Sequence, residues 1–261
     1  MDMMNYLVVA LGTIVAGAIN AVAGGGTVFS LTALAWTGLP LIRANATNQT
    51  ALIPGSIGGM IAFRHELLSQ WRTLAILFIP TVGGSLLGAV VVVSTAESIF
   101  RSIVPFLVLF ATLVFAGRER IARAFLRRST TSVIADPQIS PTGYVLGCVL
   151  QFAIAFYGGY FSAGIGILML TALSVMGMSD VVKMNAVKNA LAVAINTTSA
   201  LFFIFGSRVE WQYALLGALC SLIGGYGLGR LALRINQQAL RGAIVVAGFV
   251  VSAWMFWRLS T

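Results

Sequence analysis

Ala23-Gly24-Gly25-Gly26 and Ala163-Gly164-Ile165-Gly166 are the stretches on which the reading of this chain turns. Each interrupts a long apolar run, and the two lie 140 positions apart. At the same spacing, Arg43-Ala44-Asn45-Ala46-Thr47-Asn48-Gln49 answers to Lys183-Met184-Asn185-Ala186-Val187-Lys188-Asn189. Glycines break one apolar segment, and amides with cations open the next. The same positions also match Trp71 with Trp211, Gly84 with Gly224 and Arg101 with Arg241. Asn, Trp and Arg are not residues that an apolar composition aligns for free, so the two halves read as a repeat.

The composition names the solvent. The chain of 261 residues is 59% hydrophobic and 9% charged, with a mean hydropathy of +0.95. A soluble domain carries roughly a quarter charged residues. All seven carboxylates (Asp2, Glu66, Glu97, Glu119, Asp136, Asp180, Glu210) fall between apolar runs or beside their ends. The chain is expected to be an all-α polytopic membrane protein whose first partner is the lipid bilayer, in the cell membrane, the inner membrane of a bacterium. The net charge of +9 does not point to nucleic acid, because five arginines crowd into Arg118–Arg128 and no basic aromatic surface accompanies the rest. Juxtamembrane arginines facing anionic lipid account for it. Cys148 and Cys220 lie in apolar runs and His65 is the only histidine, so no metal site and no cofactor is expected. Ala21-Val22-Ala23 has the look of a signal-peptidase site, but the residues before it include Asp2 and no base. The segment is expected to be retained.

A bilayer core about 30 Å thick needs roughly 20 helical residues. Apolar runs fall at 5–22, 26–37, 46–63, 73–94, 98–117, 141–160, 165–177, 186–206, 211–229 and 238–257. The second of each half, 26–37 and 165–177, is too short to cross comfortably. Each is expected to pair with the run before it as a broken, re-entrant hairpin meeting at the glycines, followed by three crossing helices; five full crossings per half also fit. The expected organisation is a first membrane repeat over 1–117, a basic cytoplasmic linker over 118–140 and a second repeat over 141–261. The arginine-rich linker sets the orientation. Counting crossings from it places 64–72 and 230–237 inside, and 95–97 and 207–210 outside. Corresponding loops then lie on opposite sides, the halves form inverted-topology repeats, and both termini face the periplasm or exterior. Inverted repeats are characteristic of secondary transporters, whose site lies near the midplane where broken helices meet.

Non-helical backbone inside a bilayer survives only where protein buries it or a wet cavity borders it. A half-helix starting at Gly24, Gly25 and Gly26, and another at Gly164 and Gly166, would present unpaired N–H groups and a partial positive charge, which suits an anion. On the following helices Asn45, Asn48, Gln49 and Ser56 share one face, as do Asn185, Lys188, Asn189 and Asn196. A lysine near mid-bilayer costs about 2.5–3.5 kcal/mol, and no carboxylate lies in either device to offset Lys188 except Asp180. An anionic ligand is the economical counter-ion. Phe152, Phe156, Tyr157, Tyr160 and Phe161 lead into the second turn, opposite small residues in the first half. They are either complementary packing or, with Tyr157 and Tyr160, the wall of an apolar sub-pocket for an organic anion.

At these residues the chain resembles the TauE/SafE sulfite-exporter family, also called the 4-toluenesulfonate uptake permease family. The resemblance lies in Ala23-Gly24-Gly25-Gly26 with Gly38-Leu39-Pro40 and Ala44 to Asn48. In the second half it lies in Phe156-Tyr157-Gly158-Gly159-Tyr160-Phe161, Gly164, Gly166 and Asn185 to Lys188, and it extends over both halves. The sequence departs from the usual pattern in lacking a proline near Gly164 and in having Val187 where threonine is common. The resemblance implies a carrier of sulfite, sulfonates or related small anions. The expectation is therefore a secondary transporter working by alternating access. An anion channel of the same architecture is the alternative, and a membrane enzyme is disfavoured because no catalytic set falls at bilayer depth. The coupling ion is read as a proton or sodium; direction, oligomeric state and the particular anion are not legible.

Overall fold

The computed structural model describes residues 3–22, 25–129, 139–228 and 237–260. Every element among them is helical. In chain order these are α1 (Met3–Val22), α2 (Thr27–Trp36), α3 (Leu41–Ala51), α4 (Ile53–Ala62), α5 (Arg64–Ser69), α6 (Trp71–Ser94) and α7 (Glu97–Ser129). The second half has α8 (Pro141–Tyr160), α9 (Ile165–Val175), α10 (Val181–Phe205), α11 (Trp211–Leu222) continuing into a π-helical segment (Ile223–Leu228), and α12 (Gln237–Ser260). Among the described residues five helices are long and apolar enough to cross a membrane: α1, α6, α7 over Glu97–Gly117, α8 and α10.

The bundle is apolar outside and polar within. Ile79, Phe106, Val149 and Leu219 point outward, whereas Asn45, Thr47, Asn48, Gln49, Lys188, Asn189 and Asn196 are buried. In water that arrangement would be upside down; in lipid the hydrocarbon solvates the outer side chains and the polar ones find each other.

Equivalent helices start 140 positions apart: Leu41 and Val181, Trp71 and Trp211, Glu97 and Gln237. The hairpins run on a different register. Their left-handed glycines are Gly25 (φ +100°) with Gly164 (φ +77°), and Gly38 (φ +83°) with Gly177 (φ +106°), each pair 139 apart. One extra residue between Gly177 and Val181 accounts for the change. The first half also breaks where the second does not. Pro54 has no N–H for the carbonyl four residues back, and its ring disfavours helix at Ile53. There α3 gives way to α4, and the Ser221 hydroxyl of α11 donates to the Ala51 carbonyl at 2.7 Å. The matching α10 is continuous.

Loop contacts sort the chain ends. At one end Tyr6 donates to Gln212 (2.8 Å), Arg43 pairs with Glu210 (3.8 Å), and the Glu97 carboxylate accepts from the Leu41 and Ile42 amides at the start of α3. Trp36, closing α2, stacks on Trp254 there (6.3 Å). At the other end Thr73 meets Tyr144 hydroxyl to hydroxyl (3.3 Å), and Gly143 packs against the Met176 backbone. Hairpin α1–α2 therefore opens at one end of the bundle and hairpin α8–α9 at the other. With 10 and 11 residues, α2 and α9 reach about 15 Å, half of a bilayer core.

Each half is clasped by the other. An added Cβ at Gly84 or Gly88 of α6 would run into the carbonyls of Phe152 and Phe156 on α8, and one at Gly224 into that of Ile14 on α1. Backbone contact this close is how apolar helices associate when lipid supplies no hydrophobic drive. Gly83 has only the Phe152 ring, 3.8 Å away. Gly84→Ala is thus expected to destabilise the protein by about 1–3 kcal/mol through overpacking. Gly83→Ala is expected to be neutral or to gain about 1 kcal/mol of helix propensity. Thermal unfolding of both variants in detergent checks the ranking, and the opposite order would show that α6 and α8 are not in backbone contact.

Candidate functional site

Of the helices that begin at the bundle ends, α6 and α11 have no side-chain cap, whereas α8 and α10 are capped by side chains. Ser140 accepts from the Gly143 amide at the start of α8 (3.1 Å), and Asp180 from Val182 and Lys183 at the start of α10 (2.8 and 3.1 Å). The two helices that begin inside are not. Neither Gly26, before α2, nor Gly164, before α9, offers a side chain to the first-turn N–H groups. Asn20 serves the turn differently, its Oδ1 accepting from the Gly26 amide at 2.7 Å. Two uncapped helix starts, each with a partial positive charge, thus lie inside the bundle.

Between them is a cavity of about 40 Å³, lined by Asn20, Gly25, Thr27, Ser56, Ser162, Gly166, Lys188, Asn189 and Asn196 among others. Lys188 is 2% exposed. Its Nζ, the Asn189 Nδ2 and the Ser162 Oγ are buried without a hydrogen-bond partner among the described residues. All three can donate. Ser162 also holds a left-handed backbone, φ +61°, which costs a residue with a side chain about 1–2 kcal/mol. Strain retained at a cavity wall marks a position that the surroundings over-determine. Asn196 Nδ2 donates to Ser56 Oγ at 3.2 Å, and these residues are 140 positions apart, so the two halves touch at equivalent positions beside the cavity. Unpaired donors, a lysine and two helix N-termini converge on one small space, and such a set receives negative charge. Among the described residues no three His, Cys, Asp or Glu side chains converge as a metal site.

The family model for the sulfite exporter TauE/SafE matches residues 9–255. The chain belongs to the TauE/SafE family. It is similar to the "Probable membrane transporter protein" of Haemophilus influenzae, 24% identical over 242 residues that cover 92% of this chain and 90% of that one. Similar too is the "Probable membrane transporter protein YfcA" of Escherichia coli K12, 27% identical over 91% of this chain and 84% of its own. A third relative is the "Probable membrane transporter protein ORF9" of a Sinorhizobium species, 23% identical over 91% and 87%. No solved structure matches the chain significantly. The protein is a multi-pass membrane protein of a transporter family.

Within this TauE/SafE chain the expected site residues scatter. Gly25, Gly166, Lys188 and Asn189 line the cavity. Gly26 and Gly164 are the N-caps beside it, and Gly24 lies outside the described residues. Asn45, Asn48 and Gln49 sit on α3 facing the C-terminal end of α8: Asn45 Nδ2 donates to the Tyr160 carbonyl (2.9 Å) and Gln49 Nε2 to that of Gly159 (3.3 Å). Asn185 turns back on its own helix, donating to the Val181 carbonyl (2.9 Å). Tyr157 and Tyr160 lean on α7, edge-on to Phe110 (5.8 Å) and Phe100 (5.6 Å), and neither lines the cavity. Asn20, Thr27 and Ser162 line it and were not foreseen. At the 139 spacing of the hairpins their counterparts are not polar: Asn20 stands opposite Gly159, Thr27 opposite Gly166 and Ser162 opposite Ala23. A comparison of the halves passes over such residues; the left-handed serine could only be found in three dimensions.

The serine yields a clean test. Ser162→Gly relieves the backbone and removes the hydroxyl, so it is expected to raise thermal stability by about 1 kcal/mol. Ser162→Ala keeps the strain and loses the same hydroxyl, and is expected not to gain. Equal midpoints for the two variants in a thermal unfolding assay would contradict a strained Ser162.

Proposed function

We propose that the protein is a secondary transporter that moves a small sulfur-containing anion, of sulfite or sulfonate type, across the membrane by alternating access of two inverted repeats. The observation that carries the reading is Lys188: a buried ammonium with no partner among the described residues, facing a cavity between two helix starts that have no side-chain caps. An unpaired ammonium in the low-dielectric interior is strongly unfavourable. An oxyanion there neutralises it and accepts from Asn189, Ser162 and the N–H groups at Gly25, Thr27 and Gly164–Gly166, the Gly26 N–H being held by Asn20.

The family supports the chemical class, since TauE/SafE proteins are described as sulfite exporters, and the cavity supports a small member of it. A volume of 40 Å³ has room for about three waters, the scale of a four-atom oxyanion. The aromatic residues before the second turn support the turn rather than the anion in this reading, because their rings pack on α7. The hairpins opening at opposite ends of the bundle fit a site reached alternately from either side.

A thermal-shift screen of the purified protein against sulfite, sulfate, thiosulfate, taurine, an aromatic sulfonate and acetate identifies the ligand, with sulfite expected to stabilise most. Lys188→Ala is expected to weaken that anion about 10–100-fold, the worth of one charge-assisted hydrogen bond of about 1.5–3 kcal/mol, and Asn189→Ala about fivefold. Unchanged affinity in Lys188→Ala rejects the site. Counterflow of labelled sulfite in proteoliposomes separates a carrier, which saturates, from a channel, which conducts ohmically.

The arginine-rich segment 118–140 is placed in the cytoplasm, with both termini outside. A fusion reporter active only in the periplasm is expected to work at the C-terminus and to fail when inserted after Ser129; the reverse pattern overturns the orientation.

A further inference from the structure

Among the described residues, buried side-chain atoms without partners gather in two places, apart from Asn185 Oδ1 and the hydroxyls of Tyr157 and Ser199. Around the cavity they are donors. On α3 they are chiefly acceptors: Asn45 Oδ1, Asn48 Oδ1 and Gln49 Oε1, together with Asn48 Nδ2. All three residues are 0% exposed and lie at i, i+3 and i+4, on one face of the helix. Hydrogen bonds determine the orientation of Asn45 and Gln49. Only the NH₂ end of an amide can face a carbonyl, so the bonds from Asn45 to Tyr160 and from Gln49 to Gly159 turn both amide oxygens the other way.

What faces this patch has the same sign. Gly159 and Tyr160 are the last residues of α8, whose C-terminal carbonyls carry the helix's partial negative charge. No carboxylate occurs in α3, α8 or α10. Native proteins leave few buried acceptors empty, and here three side-chain oxygens on one helix face have no donor among the described residues, while the Gly159 and Tyr160 carbonyls are already taken by the amide NH₂ groups of Gln49 and Asn45. Neutral oxygens suit a monovalent cation; calcium and magnesium sites are built on carboxylates. Unwound carbonyls and half-helix C-termini coordinate sodium in transporters of broken-helix design.

We propose that the amide oxygens of Asn45, Asn48 and Gln49 bind a sodium ion that travels with the anion. This coupling rests on the anion-carrier reading, whereas sodium binding itself does not. The turn at 161–164 then joins two parts of the site: the C-terminus of α8 anchors the α3 amides that hold sodium, and the N-terminus of α9 borders the anion cavity. A sodium ion and Lys188 together balance a dianion.

The test is equilibrium binding of ²²Na⁺ to the purified protein in choline gluconate, without any candidate substrate. Saturable binding that potassium does not displace is expected. Asn48→Ala and Gln49→Ala are each expected to weaken it at least tenfold, and Asn48→Asp, which keeps an oxygen in place, to retain it. Absence of saturable sodium binding by the wild type overturns the site, as does unchanged affinity in both alanine variants. Sulfite affinity is then measured with and without sodium. Tighter binding in sodium supports coupling, and equal affinity in the two salts overturns it. Failure of the anion site gives a different pattern: no sulfite binding in either salt, with sodium binding intact.

Discussion

No lipid tail can accept a hydrogen bond from a backbone N–H or donate one to a carbonyl, and the rest of this structure follows from that constraint. Two helices stop short inside the bundle, at Gly25–Gly26 and at Phe161–Gly164. Each stop frees backbone groups that lipid cannot satisfy, so both turns must be enclosed by protein, and they border one cavity. Around them α6 and α11 each grip the first helix of the opposite half by backbone contact at Gly84, Gly88 and Gly224. The same want of solvent that makes the turns hazardous makes this clasp necessary, because apolar helices in lipid gain nothing from merely being apolar.

The two halves share a plan and differ in charge. Lys188 occupies the place that Asn48 holds in the first half, and Asn189 the place of Gln49. The consequence is an uneven distribution of polar groups: at the cavity, donors without partners among the described residues at Lys188, Asn189 and Ser162, and along α3 chiefly amide oxygens, with Asn48 Nδ2 beside them and Asn185 Oδ1 on α10 outside both groups. A symmetric pair of sites would have favoured neither sign. The proline break in the first half adds to the difference: Pro54 parts α3 from α4, and Gly59 of α4 comes within van der Waals reach of the Asn189 amide, whereas α10 runs through uninterrupted.

Some of the site was legible because its signals are local. Lys188 is legible as a cation without a nearby carboxylate, Asn189 as its neighbour on the same polar face, and Gly25 and Gly166 as glycines between apolar runs. Each of these is a statement about a few consecutive residues. Asn20 and Ser162 were not, since a single polar residue near the end of an apolar run carries no pattern, and their counterparts across the repeat are Gly159 and Ala23. The register of the hairpins was also out of reach, because the change from 140 to 139 shows only once the left-handed glycines Gly25, Gly38, Gly164 and Gly177 are known.

Composition and hydrophobic run length were enough to say that the chain is helical, lives in a bilayer and breaks at its two glycine turns, since those properties depend on transfer free energy and on backbone freedom residue by residue; the break at Pro54, inside the run 46–63, was not read. Which neighbour each polar face meets was decided by packing. The spacing of Asn45, Asn48 and Gln49 gives a direction about their own helix axis, but not whether the end of α8 or the cavity lies there. Tyr157 and Tyr160 illustrate the same limit, turned towards Phe110 and Phe100 of α7 by contacts that are distant in sequence. A helix carries its periodicity with it; its surroundings belong to the whole fold.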